Sequence, residues 1–295
     1  MALATYGNTA PDAELVVLYG NCQVPFLARA LAMADGGASG RGYLCVLNHA
    51  PPGQQIEMPR REDLARCKLY LEQYDSEIFI RVREEVRDGI SRGCPTLVFP
   101  TYMANFMWPF QMSEPDVAGD ARWPFGRYPE GDHVGHALRG QALQGTAALD
   151  AYMKSSNSQM PDLDARFDID LAHMERRDGR SDVKLQDFVL DNFRDQHLFW
   201  TFGHVNEQAV GELACRVHQA ASCELGSHHT DMPARIRSAA AALGGMGPHQ
   251  CPIHPRVAEH FGLRFWRPDM RFQWFDRHWT FGEYMPRYIT RATDW

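Results

Sequence analysis

The sequence has no apolar run that approaches the ~20 residues needed to cross a membrane, so we expect no membrane span. Residues 1–14 lack a basic region followed by a long apolar stretch, and we therefore expect no signal peptide. Acidic residues (37) outnumber Lys and Arg (30), which gives a formal net charge of -7. This charge, with no long basic run, argues against a nucleic-acid-binding protein.

The seven cysteines are odd in number and irregularly spaced, so they do not form a disulfide framework. A reducing cytoplasm is the natural expectation for such a protein. A zinc pattern is also missing: Cys251 and His254 form one pair, and the adjacent His228 and His229 cannot easily face one ion. No second Cys/His pair completes the ligand set, and we expect no metal site.

What the sequence does contain is typical of a globular protein. Its 295 residues are 44% apolar and 23% charged, which is enough to bury a substantial core. We find no internal repeat, low-complexity tract or clear linker. We therefore expect one domain over residues 1–295, with an α/β half at 1–100 and a mainly helical half at 101–295.

Residues 1–100 alternate between two periodicities. Short apolar runs predict strands at residues 15–19, 43–47, 67–71 and 96–99. Helical spacing predicts helices at residues 24–34, 62–66 and 78–90. Strands that alternate with helices in this way predict a parallel sheet with right-handed crossovers, in which ligands bind at the carboxyl ends of the strands.

The rest of the chain differs in character. Residues 100–129 are aromatic and rich in proline, and we favour a packed segment over a loop that covers a ligand. Helices are predicted at residues 133–143, 147–154, 163–177, 183–192, 207–221 and 233–243. Residues 198–202 predict one more strand. The aromatic tail at residues 261–295 is expected to wrap the surface and pack its rings.

Cys22 is the first candidate for chemistry. It follows the apolar run at residues 15–19, in the sequence Gly20-Asn21-Cys22-Gln23, and a helix is predicted directly after it. A thiol at such a turn meets the N–H groups and the positive dipole end of the helix, which lower a thiol pKa and stabilise an oxyanion. The alternative is that Cys22 is a small buried hydrophobic residue, as most free cysteines are.

A cysteine nucleophile needs a base, which is normally a histidine. Among the 13 histidines, His204 has the context most similar to that of Cys22, because it follows an apolar run and Gly203 and precedes a predicted helix. Its alternative is a structural role between strand and helix. Asp191, Asp195 and Glu207 are candidates for orienting the second ring nitrogen, and the sequence does not choose among them.

A third candidate is the predicted helix start at Pro255. Its N–H groups, with His254 and Arg256, are of the kind that binds a phosphate or a carboxylate. A capped, purely structural helix start is the competing interpretation.

These residues belong to an ordered set of motifs that resembles the WcbI-type polysaccharide-biosynthesis family of acetyltransferases. The motifs are Val-Leu-Tyr-Gly-Asn-Cys-Gln at 17–23, the aromatic segment at 100–110, Tyr-Pro-Glu-Gly-Asp at 128–132, residues 183–194, the Leu-Phe run before His204, and Pro-Ile-His-Pro at 252–255. Similar proteins have Asn-His-Pro where this chain has Gly203-His204-Val205. The turn is also similar, at the level of fold alone, to the serine turn of SGNH-type esterases.

The resemblance implies a helix-rich, Rossmann-like three-layer α/β fold and binding of coenzyme A or acetyl-coenzyme A. It implies acyl transfer to a sugar hydroxyl, with Cys22 as nucleophile and His204 as base, and an association with other glycan-biosynthesis enzymes. We expect Gly20, Asn21 and Gln23 to position the substrate and the oxyanion. His254 and Arg256 are expected to contact the coenzyme phosphates.

Three functions remain open at this point. The first is an acyl-coenzyme A-dependent O-acetyltransferase that acts on a capsule or surface-glycan sugar, either through an acyl-cysteine or by direct attack of the hydroxyl. The second is a hydrolase of sugar esters or thioesters that uses the same site. The third is a non-catalytic subunit that binds coenzyme A or glycan.

Overall fold

The computed structural model describes residues 3–50, 54–74, 80–114, 122–225 and 230–295. The strands in these residues are β1 Leu3–Gly7, β2 Leu15–Gly20, β3 Gly42–Leu47, β4 Cys67–Gln73, β5 Thr96–Phe99, β6 Gln111–Ser113, β7 Glu130–Asp132, β8 Phe272–Trp274 and β9 Arg277–Trp279. The helices are α1 Val24–Asp35, α2 Arg61–Ala65, α3 Ile80–Gly89, α4 His133–Ala137, α5 Gly145–Gln159, α6 Leu163–Gly179, α7 Gln186–Asn192, α8 Glu207–Ala220, α9 Ser222–Leu225, α10 Met232–Leu243, α11 Pro255–Phe261 and α12 Phe281–Thr290. Over these residues, no helix is long and apolar enough to cross a membrane.

The main sheet has five strands in the order β1-β3-β2-β4-β5. The four strands β2 to β5 are mutually parallel, and β1 runs antiparallel to β3 at the edge. The predicted α/β class and mainly parallel sheet are therefore confirmed, with the four predicted strands in place. The edge strand β1 was not predicted, because its residues are half exposed and form no continuous apolar run.

Helices cover both faces of this sheet because its central strand is apolar on both sides. All six residues of β2 are buried. Val17 and Tyr19 share one hydrophobic cluster with Leu64 of α2 and Val86 of α3. On the other side α1 packs with α8, α10 and β3. This layering agrees with the expected Rossmann-like arrangement.

The chain divides into two compact units. Unit 1 comprises Met1–Tyr102, His173–Val189 and His204–Met246, and unit 2 comprises Met103–Ala172, Leu190–Gly203 and Gly247–Trp295. The boundaries do not follow the expected halves at 1–100 and 101–295, because α8 and α10 from the second half complete the layer beside α1. A single domain over residues 1–295 stays a prediction.

Unit 2 is built around aromatic side chains. Phe110 and Tyr128, from the segment expected to pack, share a buried cluster with Trp274 and Tyr288 from the tail. The packing prediction for residues 100–129 is confirmed at these positions. The expectation that the tail packs its rings is confirmed, because Trp274, Tyr284 and Tyr288 are buried in this cluster.

The strand expected at residues 198–202 is absent from the sheet. Leu198 and Phe199 are buried, as their apolar character predicts. The backbone, however, makes single hydrogen bonds to separate segments, from Cys251 N–H to the oxygen of Trp200 at 2.6 Å and from Ala104 N–H to that of Phe202 at 2.9 Å. An apolar run shows that a segment is buried, but it does not show that a ladder partner lies beside it.

Candidate functional site

Cys22 lies in the short turn between the end of β2 at Gly20 and the start of α1 at Val24. The strand, turn and helix predicted around it are confirmed. After β2 the chain adds β3 on one side and then β4 on the other, so β2 is the point where the strand order reverses. In open α/β sheets this switch point forms the crevice that binds ligands.

The amino end of α1 is hydrogen-bonded to the residues on either side of Cys22. Val24 N–H donates to the oxygen of Asn21 at 3.0 Å, and Leu27 N–H donates to that of Gln23 at 3.1 Å. The helix is twelve residues long, and Cys22 itself is half-buried. The residue therefore lies near the positive end of a helix dipole, where negative charge is favoured.

Asn21 holds the turn through its backbone and its side chain. Its N–H donates to Gln73 Oε1 at 2.8 Å, and its Nδ2 donates to Thr101 Oγ1 at 3.0 Å. Its Oδ1 accepts from the N–H of Gln23 at 2.9 Å. Because the Gln23 N–H is already donated within the turn, it is not the second oxyanion donor, whereas Asn21 Nδ2 carries another N–H besides the one donated to Thr101.

Gln23 is a buried structural link, and its side chain is only 2% exposed. Its Nε2 donates to the oxygen of Tyr102 at 2.7 Å, and its Oε1 accepts from the N–H of Tyr102 at 3.0 Å and from Gln73 Nε2 at 3.1 Å. The residue fastens the cysteine turn to the ends of β4 and of the segment after β5. It thus holds the position of Cys22, and a role of Gln23 toward a substrate or an oxyanion stays a prediction.

Gly20 is required by close packing. A Cβ at this position would lie 2.5 Å from both Cβ and Oε1 of Gln73 and 2.8 Å from Cγ2 of Val24. The absent side chain lets Gln73 reach the backbone of Asn21, so the glycine and the glutamine depend on each other.

Three contributors to this turn were not singled out from the sequence: Gln73, Thr101 and Tyr102. Gln73 is the last residue of β4, and the other two follow β5 closely. The available signal was topological, because neighbouring parallel strands end at the same edge of a sheet. A polar side chain directly after an apolar strand is the pattern that identifies such residues.

Asn48 and His49 follow β3, the other neighbour of β2. Asn48 is 2% exposed, and its N–H donates to the oxygen of Gly20 at 2.8 Å. Asn48 Oδ1 lies 2.8 Å from Nδ1 of His49. Burial lowers the pKa of His49, so its neutral form is favoured. His49 was not singled out from the sequence, although it too closely follows a predicted strand.

His204 belongs to the same compact unit as Cys22 and is half-buried. It precedes α8, where Asn206 Oδ1 caps the helix by accepting from the N–H of Ala209 at 2.9 Å. His204 was chosen because it was expected to lie between a strand and a helix. The helix is present, but no strand of the sheet leads into His204, so this part of the reason was wrong. Asp195, one of its expected partners, forms an ion pair with Arg264.

His254 is buried and caps α11. Its Nδ1 accepts from the N–H of Arg256 at 3.2 Å, and its Nε2 lies 3.0 Å from Ser156 Oγ. Burial lowers the pKa of His254 to about 4, and the nearby Arg256 adds to the shift. The Arg256 side chain is exposed and donates to the oxygen of Asn157 at 2.9 Å. Both nitrogens of the neutral imidazole are thus engaged by groups of the protein. In this segment, the group that remains accessible to a phosphate is the guanidinium of Arg256.

Four of the other cysteines lie where burial disfavours a thiolate. Burial raises the pKa of the thiols of Cys45, Cys67, Cys215 and Cys251, and Cys67 also lies 3.6 Å from the sulfur of Cys94. All seven cysteines are free thiols. Within the described ranges, no group of three or more His, Cys, Asp or Glu side chains could hold a metal ion. His228 and His229 lie outside those ranges.

Comparison with known proteins gives the family. The family model described as "Polysaccharide biosynthesis enzyme WcbI" matches residues 15–225. This chain belongs to the WcbI family of polysaccharide biosynthesis enzymes. The match includes Cys22, His49 and His204, and the His254–Arg256 segment lies beyond it.

A solved structure of WcbI, described as a novel polysaccharide biosynthesis enzyme, has the same fold. It is 18% identical in sequence, with a TM-score of 0.64 over 95% of this chain and 91% of that chain. That structure is of the native protein without a disulfide bond between coenzyme A and one of its cysteines. A comparison with curated proteins found no match.

Proposed function

We propose that this WcbI family member transfers an acyl group from an acyl-coenzyme A to a hydroxyl group of a capsule or surface-glycan sugar. Acetyl is the acyl group expected, and Cys22 is the nucleophile. The observation that carries the proposal is the position of Cys22, at the switch point of a parallel sheet and at the amino end of α1. With seven free thiols, the cytoplasm is the proposed compartment.

The description of the WcbI structure links coenzyme A to a cysteine of that protein. We propose that Cys22 is the equivalent residue here, because it is a half-exposed thiol at the ligand crevice of the sheet. The exposed guanidinium of Arg256 is the proposed partner for a coenzyme phosphate, in place of the buried ring of His254.

In the proposed reaction the Cys22 thiolate attacks the thioester carbonyl, and the coenzyme thiol leaves with a proton. The sugar hydroxyl then loses its proton to a base as its oxygen attacks the acyl-cysteine, and the Cys22 thiolate is released. The Cys22 N–H and the Asn21 amide would stabilise the oxyanion. Removing such a donor costs ~3–4 kcal/mol in other enzymes. A histidine is the expected base, and His204 was the candidate from sequence.

Radiolabelled acetyl-coenzyme A tests the proposal, with and without a surface-glycan acceptor. Label on the sugar supports acyl transfer, free acetate indicates the hydrolase, and neither product indicates a non-catalytic binding subunit. Cys22→Ala should abolish transfer, whereas Cys223→Ala, which changes an exposed thiol on α9, should not. Transfer that persists in Cys22→Ala would mean that the hydroxyl attacks directly and that Cys22 only lines the site.

A further inference from the structure

The register of β2 and β3 places His49 at the same edge of the sheet as Cys22. Gly20 and Leu47 are paired residues of these parallel strands, and the N–H of Asn48 donates to the oxygen of Gly20 at 2.8 Å. Cys22 and His49 each come two residues after the last registered pair. Neighbouring strands lie ~4.8 Å apart, so the two chains leave the sheet side by side.

The Asn48 side chain determines which nitrogen of His49 can act as a base. Asn48 Oδ1 only accepts hydrogen bonds, and it lies 2.8 Å from Nδ1 of His49. Nδ1 therefore carries the proton, and Nε2 presents a lone pair. Asn48 is buried and tied by its own N–H to Gly20, so the ring is oriented by a residue bonded to the cysteine's strand.

The burial of His49 favours the neutral imidazole, which is the form that can accept a proton. Burial lowers the pKa of His49, because a charged imidazolium loses hydration there. A neutral imidazole at neutral pH is the form that a general base requires. His204, by contrast, follows no strand of this sheet, and the topology gives it no comparable relationship to β2.

We propose that His49, oriented by Asn48, is the base that accepts the proton of the Cys22 thiol. The inference rests on the proposed function for the identity of the substrates. The proton moves from Sγ to Nε2 as the thiolate forms a bond to the thioester carbon. It then moves from Nε2 to the coenzyme sulfur as the carbon–sulfur bond of the donor breaks. In the second half, His49 takes the proton of the sugar hydroxyl and the thiolate of Cys22 is released.

The test measures the rate at which iodoacetamide alkylates Cys22 at different pH values, by mass spectrometry, in the full chain. This readout needs no acyl donor, so it separates the His49 pairing from the proposed acyl transfer. We expect His49→Gln to slow alkylation of Cys22 at pH 7 by ~10-fold or more, because less thiolate is formed. His278→Gln, at an exposed position, is the matched control and should retain the wild-type rate.

Asn48→Asp is the second variant, and it keeps the test valid if His49→Gln does not fold. A carboxylate beside Nδ1 should raise the pKa of the imidazole and move the acid limb of the alkylation profile to higher pH. An unchanged rate in His49→Gln, or an unchanged profile in Asn48→Asp, would overturn the inference, as would a loss confined to His204→Gln. If alkylation depends on His49 but no acetyl is transferred, the pairing stands and the proposed reaction fails.

Discussion

Gln23 and Tyr102 form a closed pair of hydrogen bonds: the glutamine Nε2 donates to the tyrosine carbonyl at 2.7 Å, and its Oε1 accepts from the tyrosine N–H at 3.0 Å. One side chain thus satisfies both backbone groups of a residue that is itself buried. The pair joins the residue after the nucleophile to the segment after β5. Because both residues are buried, water cannot easily replace the amide, although the carbonyl of Tyr102 also accepts from Thr101 Oγ1 at 3.4 Å.

Gln23→Met should therefore destabilise the protein. The change keeps the volume of the side chain but removes the amide that bonds the buried N–H and carbonyl of Tyr102, which costs roughly 1–3 kcal/mol. Urea unfolding measures this loss, and Gln208→Met, at an exposed position of α8, is the control. If Gln23→Met is as stable as Gln208→Met, the amide does not hold the turn in place.

Cys22 should be the first of the seven thiols to react with limiting iodoacetamide at pH 7. It is half-buried at the amino end of α1, whereas burial raises the pKa of Cys45, Cys67 and Cys251. Peptide mapping by mass spectrometry gives the order of modification, with the exposed Cys223 as internal reference. Faster labelling of Cys67 or Cys215 would contradict the assignment of Cys22 as nucleophile.

Arg256→Ala should weaken the binding of coenzyme A by ~1–3 kcal/mol, the range for losing a charged hydrogen-bond partner. Calorimetric titration measures this affinity, and a thermal scan without ligand should change little. Arg277→Ala, which removes another exposed guanidinium, is the control. An unchanged affinity with a large drop in melting temperature would show that Arg256 matters through its bond to the oxygen of Asn157.

The stability of the protein should fall as the pH is lowered from 6.5 to about 4. The pKa of His254 is lowered from 6.5 to about 4 in the folded state, chiefly by burial, so the unfolded chain binds more protons in this window. The group contributes its full stability above pH 6.5, and up to ~3 kcal/mol is lost by pH 4. The same sign applies to His197, whose pKa burial also lowers to about 4.

Urea unfolding at several pH values checks this dependence. His254→Asn keeps a side chain that caps a helix well but removes the titrating ring, so its stability should fall less steeply over the same window. His278→Asn, at an exposed position, should keep the wild-type slope. Equal slopes in wild type and His254→Asn would show that the buried imidazole does not control the acid response.

How much the sequence predicted depended on whether an interaction was local. Residues 15–23 predicted β2, the turn and the start of α1, because an apolar run, a glycine and helical spacing act within a few residues. The antiparallel position of β1 and the absence of a strand at 198–202 depend on partners far along the chain. The hydrophobicity of the segment correctly predicted that Phe199 is buried, but it did not show whether a neighbouring strand pairs with the segment.

The candidate site shows the same limit. Cys22 was identified because its own neighbours signal a turn at the end of a strand. Gln73 and His49 lie 51 and 27 positions further along the chain, and only the strand order brings them to the same edge. His204 was chosen because its sequence context is similar to that of Cys22. The strand order points instead to His49, the second residue after β3.

The hydrogen bonds described for the cysteine turn join two glutamines, one asparagine, a threonine hydroxyl and backbone groups. These partners do not ionise in the working range of an enzyme, and salt screens them far less than it screens ion pairs. The turn should thus keep its geometry across pH and ionic strength. A pH–rate profile would then report the ionisation of the thiol and its base, and a salt dependence would report the charge of the incoming donor.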